Sequence, residues 1–207
     1  MNHLAHFLLC PADDEARAGT LIADFSRGTD LSAFTRHVEL GIRLHRRIDA
    51  LVDSSPEVTA LKPLVGAPLR RYAGILFDVF FDYALMREWH VFHSASRVQF
   101  NSDIYTSLAR AEADMPESVR SVSARMRTYD ALSSCATHED CARTLARIAT
   151  RLKRPVDLAA GIDVLIRHEA QIVDGFTQLF PALQTGAYTY LAGSSLKMRP
   201  LDESVNT

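Results

Sequence analysis

Little in this chain suits an oxidising or a membrane environment. Its 207 residues hold three cysteines, Cys10, Cys135 and Cys141, with no CxxC pair and no zinc-ligand spacing. That excludes a disulfide framework and a zinc finger, and reduced thiols in a cytoplasmic protein are the expectation. The first ten residues carry neither the basic start nor the long apolar run of a secretion signal. The most apolar stretch, residues 75–86, includes Asp78 and Asp82 and is too short to span a bilayer, so no membrane partner is expected. Positive charge is not in excess: the formal net charge is −2, which argues against nucleic acid as a partner. Glycine is sparse as well, at nine residues, and none falls in a P-loop, a dinucleotide-binding fingerprint or a nucleophile elbow. Chemistry through those motifs is excluded.

What the sequence does have is helical periodicity. It predicts helices near residues 14–25, 32–53, 56–65, 68–90, 100–113, 117–133, 138–152 and 157–180. The punctuation agrees. Ser54-Ser55-Pro56-Glu57 offers a capping box with proline in the first turn, and Pro116-Glu117 opens another helix. Thr137 precedes His138-Glu139-Asp140, which places acids where a helix start favours them. Phe180-Pro181 is expected to end or kink the last helix. The fold class is all-α, a compact multi-helix bundle. Residues 1–192 are read as one domain and residues 193–207, where periodicity fades, as a C-terminal tail.

The informative residues are ionisable groups on faces that should be apolar. The inward stripe of the helix near 38–52 reads Val38, Ile42, His45, Asp49, Val52, so a histidine and an aspartate interrupt it one turn apart. Between Ile75 and Met86 every residue except Asp78 and Asp82 is apolar or tyrosine, so those carboxylates share a face of a buried helix. Asn2 and His6 stand four apart in an apolar segment, and Asp24 sits between Ile22-Ala23 and Phe25. A buried carboxylate needs a cation, a donor or a raised pKa. A mixed set of imidazoles and carboxylates, with Arg43, Arg46 and Arg47 nearby, suits Mn²⁺, Mg²⁺, Fe²⁺ or Zn²⁺. The competing reading is a set of buried ion pairs, with Arg46, Arg47, Arg70 or Arg71 partnering Asp78 and Asp82. Other histidines carry less: His90, His93 and His37 are read as capping or exposed residues, and His168-Glu169 as a solvated face.

The same residues carry a family resemblance. Met1-Asn2-His3-Leu4-Ala5-His6, Gly19-Thr20-Leu21-Ile22-Ala23-Asp24-Phe25-Ser26-Arg27-Gly28 and Gly41-Ile42-Arg43-Leu44-His45-Arg46-Arg47-Ile48-Asp49 resemble, in that order, blocks of the bacterial acyl carrier protein phosphodiesterases. A fourth block runs from Arg70-Arg71-Tyr72 through Asp78 and Asp82 to Trp89. Beyond residue 90 the resemblance fades to length and helicity. His3 stands where the family has an aromatic, Thr20 where it has asparagine, and Tyr83 where histidine is common. The resemblance implies a fold distantly similar to His-Asp metal-dependent phosphohydrolases and dependence on a divalent ion, Mn²⁺ above the others. The implied reaction hydrolyses the phosphodiester of holo-acyl carrier protein, leaving apo-carrier and 4′-phosphopantetheine. On it, His6, Asp24, His45, Asp78 and Asp82 are the expected metal ligands, with Asp24 expected to be essential. Asp49 is expected to orient His45 or pair with Arg46, and one of Arg27, Arg46 and Arg47 to clamp the phosphate. Arg43, Arg70 and Arg71 are expected to dock the acidic carrier. Two alternatives stay open: a nucleotide phosphohydrolase sharing the metal site, and a non-catalytic helical interaction module. Oligomeric state is not legible.

Overall fold

A computed structural model describes residues 3–194; Met1, Asn2 and residues 195–207 lie outside the described part, so the expectations for Asn2 and for most of the tail do too. The described residues form ten α-helices, in chain order α1 His3–Leu8, α2 Asp14–Ile22, α3 Arg36–Ser54, α4 Pro56–Leu61, α5 Ala73–Arg87, α6 Trp89–Phe92, α7 Arg97–Arg110, α8 Glu117–Thr128, α9 His138–Ala149 and α10 Ile162–Ala192. Short 3₁₀ turns link several of them, and the described residues contain no strand. The all-α reading is correct.

Local sequence sets the boundaries. Asp13 caps α2 by accepting from Ala16 N at 2.8 Å, and Thr35 caps α3 by accepting from Val38 N at 3.2 Å. Ser55 accepts from Val58 N at 3.1 Å with Pro56 in the first turn of α4, and Thr137 accepts from Asp140 N at 3.1 Å to open α9. Each such cap contributes about 1 kcal/mol.

Helix α5 is the axle. Leu76, Phe77, Val79, Phe80, Phe81, Ala84 and Leu85 are all buried, and the helix has no polar side of its own. Helix α10 lies along it and also packs on α3, α4 and α9. The seam is aromatic: Phe81, Phe92, Phe176 and Phe180 meet at ring separations of 4.7 to 5.8 Å.

Contrary to one branch of the expectation, Pro181 does not end α10. The helix runs to Ala192, and its one non-helical residue is His168 (φ −121°, ψ 24°). Leu183 and Ala187 beyond the proline are buried. Continuing the helix keeps that apolar surface out of water, worth about 2 kcal/mol for the leucine, which offsets most of the proline's cost.

Helices α2 and α3 meet backbone against backbone. A Cβ built at Gly19 would lie 2.1 Å from Val38 O, and one at Gly41 would lie 2.0 Å from Ala16 O. Only glycine allows the two backbones to meet this closely. Gly19 stands five residues before Asp24, and Gly41 four before His45 and eight before Asp49. The crossing therefore fixes where the end of α2 meets the middle of α3.

Candidate metal centre

Three segments converge there. Helix α1 is apolar and buried along Leu4, Ala5, Phe7 and Leu8, and this places His6, itself 1% exposed, against α3. The rings of His6 and His45 stack in parallel, with centroids 3.7 Å apart and planes inclined by 1°. Asp49, one turn beyond His45, spans the edge of the stack. Its Oδ1 lies 3.0 Å from His6 Nε2 and its Oδ2 lies 3.3 Å from His45 Nε2. The 3₁₀ turn after α2 brings Asp24 to the same nitrogen, with Oδ1 3.4 Å from His45 Nε2, while Oδ2 lies 3.6 Å from His3 Nδ1. Arg46 holds this turn in place: its Nη2 donates to Ser26 O at 2.7 Å and to Ser26 Oγ at 3.0 Å.

The donor atoms of His6, His45 and Asp49 all lie within 4.8 Å of one another. Neither ring nitrogen of His6, nor Nδ1 of His45, has a hydrogen-bond partner, although all three are buried. His6 Nε2 has the Asp49 carboxylate beside it, at 3.0 Å. Leaving buried polar atoms unmatched costs about 1–3 kcal/mol each, so a second use for them is called for. Two imidazoles and a carboxylate make the mixed N/O donor set that fits Mn²⁺, Fe²⁺ or Zn²⁺. The residues fit such an ion.

The electrostatics are polarised. Burial drives the pKa of His6 down to about 3, against the pull of Asp49, so its ring stays neutral, as a ligand must be. Burial acts the same way on His45, yet Asp24 and Asp49 together outweigh it and raise that pKa to about 9. Burial opposes ionisation of Asp49 and Asp24, but the neighbouring imidazoles hold both carboxyls below their ordinary range. Both aspartates are anions at neutral pH. Their side chains are 42% and 45% exposed, so the site opens to solvent on the carboxylate side and is closed behind the rings.

The remaining expected residues divide. Asp49, read from the sequence as a supporting group, belongs to the convergent trio. Asp24 reaches it through His45. Asp78 and Asp82 are not among the three convergent donors: Asp82 is buried in α5, and half-buried Asp78 lines a separate cavity with Arg70 and Arg71. Arg46 supports the turn after Asp24. Arg47 is two residues from His45, so the helix points it about 200° away from the site. Arg27 is exposed just after the turn, and Arg43 pairs with Glu39 at 2.7 Å. His3 was not anticipated as a site residue. Its one signal is the His3/His6 spacing of three, which puts both on one face of a helix.

An all-α protein with two stacked, buried imidazoles facing a carboxylate defines a class: a helical bundle with a candidate divalent-ion site. Comparison with known proteins narrows it. The family model for acyl carrier protein phosphodiesterase matches residues 1–183, and the chain belongs to that family. Curated relatives of that name include one from Pectobacterium atrosepticum, 29% identical over 190 residues that cover 91% of this chain and 98% of the relative. Another, from Enterobacter sp., is 44% identical over 89 residues, 43% of this chain and 46% of the relative. One from Escherichia coli K12 is 42% identical over 89 residues with the same coverage. No solved structure matches.

Proposed function

We propose that this chain hydrolyses the phosphodiester of holo-acyl carrier protein, releasing 4′-phosphopantetheine and apo-carrier, and depends on a divalent ion, Mn²⁺ by preference. Family membership supports the substrate. The observation that carries the chemistry is the convergence of His6 Nε2, His45 Nε2 and the Asp49 carboxylate with the buried ring nitrogens unpartnered.

His6, His45 and Asp49 would hold the ion, which supplies a low-pKa water and polarises the phosphoryl oxygens. The α2–α3 crossing keeps these side chains in register, and the stacked rings exclude water from behind. Asp24, ionised and half-exposed beside His45, acts as an acceptor rather than a proton donor. It orients His45 and hydrogen-bonds to the attacking water. Arg46 holds the Asp24 turn through Ser26 and contributes by position. Arg27, exposed next to that turn, would meet the phosphate, whose oxygens a guanidinium matches bidentately. Asp78 and Asp82 act from α5, outside the trio. Arg43, Arg70 and Arg71 present positive charge to the acidic carrier. As a carrier-modifying enzyme the protein would work in the cytoplasm.

Mass spectrometry of holo-acyl carrier protein incubated with the purified protein and Mn²⁺ tests the reading. Loss of the mass of 4′-phosphopantetheine, abolished by EDTA and restored by Mn²⁺, is the expected result. Unchanged holo-carrier, with turnover of nucleotides instead, would establish the general phosphohydrolase alternative.

A further inference from the structure

A cavity between α3, α4 and α5 starts one turn from the site. Helix α3 carries His45, Asp49 and Asp53 at intervals of four, on nearly one line, and Asp53 with Val52 forms part of the cavity wall. Asp49 and Asp53 are about 6 Å apart along the helix axis. The cavity encloses about 610 Å³, within the range of small-molecule sites. Its apolar wall is Val52, Val58, Phe77 and Phe81, all buried side chains of α3, α4 and α5. Its polar lining carries Thr59, Lys62, Arg70 and Arg71 together with Asp53 and Asp78.

On the reading given above, a substrate phosphate held at the site leads into an arm that must go somewhere. We infer that this cavity takes the pantetheine arm, with its gem-dimethyl and methylene carbons against Val58, Phe77 and Phe81 and its amides and hydroxyl at the polar lining. Two observations favour that occupant. The cavity and the site share helix α3, one turn apart. Its lining combines an apolar wall with hydrogen-bonding groups, matching the methylene and gem-dimethyl carbons and the amides of the arm. The cavity therefore selects for the arm, while the trio of donors acts on the phosphate.

Gly74 offers a clean way to fill it. It lines the cavity, and a Cβ there meets nothing within 4 Å, so a side chain can be added without breaking packing. Replacing a glycine inside α5 also favours the helix. The experiment titrates D-pantetheine, which lacks the phosphate, into wild type, Gly74→Trp, Thr59→Phe and Val98→Trp by calorimetry. In parallel, KM for holo-carrier is measured in Mn²⁺. Val98 is 76% exposed on α7, away from the cavity, and serves as the control. The expected result is saturable pantetheine binding by wild type and Val98→Trp. Gly74→Trp and Thr59→Phe should each weaken it by at least about tenfold and raise KM by a similar factor. A wild type that cleaves holo-carrier but does not bind pantetheine, or a Gly74→Trp variant with unchanged affinity and KM, would overturn the cavity assignment. A wild type that binds pantetheine in this Gly74-dependent way but leaves holo-carrier intact would uphold the cavity and refute the proposed reaction.

Discussion

Two polar clusters are embedded in this bundle, and they are built on opposite terms. At α5, α9 and α10, Glu169 accepts from Tyr83 and Arg87, and His138 Nε2 lies 3.5 Å from its second oxygen. One carboxylate there faces three donors, and the cluster ties three helices together. At α1 and α3, two buried imidazoles stack with three ring nitrogens unpartnered, and two carboxylates crowd His45. The first cluster hydrogen-bonds Tyr83 and Arg87 to Glu169 and ties helices together, leaving only His138 Nε2 without a hydrogen bond. The second leaves its donors open and is held in place by the glycine crossing and by Arg46. Polarity on an apolar face does not distinguish the two; the state of the partners does.

The sharpest way to break this contrast is to remove one carboxylate from each cluster. Asp49→Asn should lower holo-carrier hydrolysis by about thousandfold, equivalent to about 4 kcal/mol of transition-state stabilisation, with helical circular dichroism intact. Asp24→Asn should also abolish detectable turnover; an active Asp24→Asn enzyme would remove that residue from the mechanism. Glu169→Gln, by contrast, should cost about 1–2 kcal/mol of stability and leave activity in place, as measured by urea unfolding and steady-state rates. Loss of activity without loss of stability in Glu169→Gln would erase the distinction.

Between those effects lies the crossing itself. Gly41→Ala pushes a methyl group into Ala16 O, and overpacking against backbone should cost about 3 kcal/mol, lowering Tm by about 6–12 °C. An unchanged Tm would mean the helices can separate without harm.

A subtler separation comes from pH. In chelated protein, neutral His6 with its depressed pKa makes stability climb as pH rises from about 3 toward the ordinary imidazole value of 6.5. His45, with its pKa raised to about 9, contributes stability that is complete below 6.5 and lost as pH rises through 9. Stability of the chelated protein should therefore peak near pH 6.5, and Mn²⁺ binding below pH 9 should release a proton as His45 becomes neutral. Denaturant midpoints across pH and proton release in weakly buffered titrations measure both. The smallest effect concerns docking: raising salt should increase KM for holo-carrier a few-fold while kcat stays level, because carrier attraction is screened beyond about 8 Å.

Much of this architecture is legible in the sequence. The caps at Ser55 and Thr137 and the all-round apolar α5 lie where spacing and residue type put them. His45 and Asp49 on one face of α3 follow from their separation by four. Spacing along one helix, however, says nothing of what meets it. It could not distinguish Asp49 as a member of the trio from Asp78 on a cavity wall, since both look like carboxylates on an apolar stripe. Nor could it show that Glu169, read as solvated, reaches Tyr83 and Arg87 on α5. Pro181 misled because local propensity gave way to the burial of Leu183 and Ala187. The strongest neglected signal was the glycine pair: Gly19 and Gly41 set which residues of α2 and α3 face each other, and so which imidazole meets which aspartate.

The central claim is that His6, His45 and Asp49 together bind one divalent ion. Electron paramagnetic resonance of free Mn²⁺ during titration of wild type and Asp49→Asn tests it most directly. One ion should disappear from solution per wild-type chain, with no comparable loss for Asp49→Asn at the same concentrations. Equal uptake by both proteins, or none by wild type, would contradict the account.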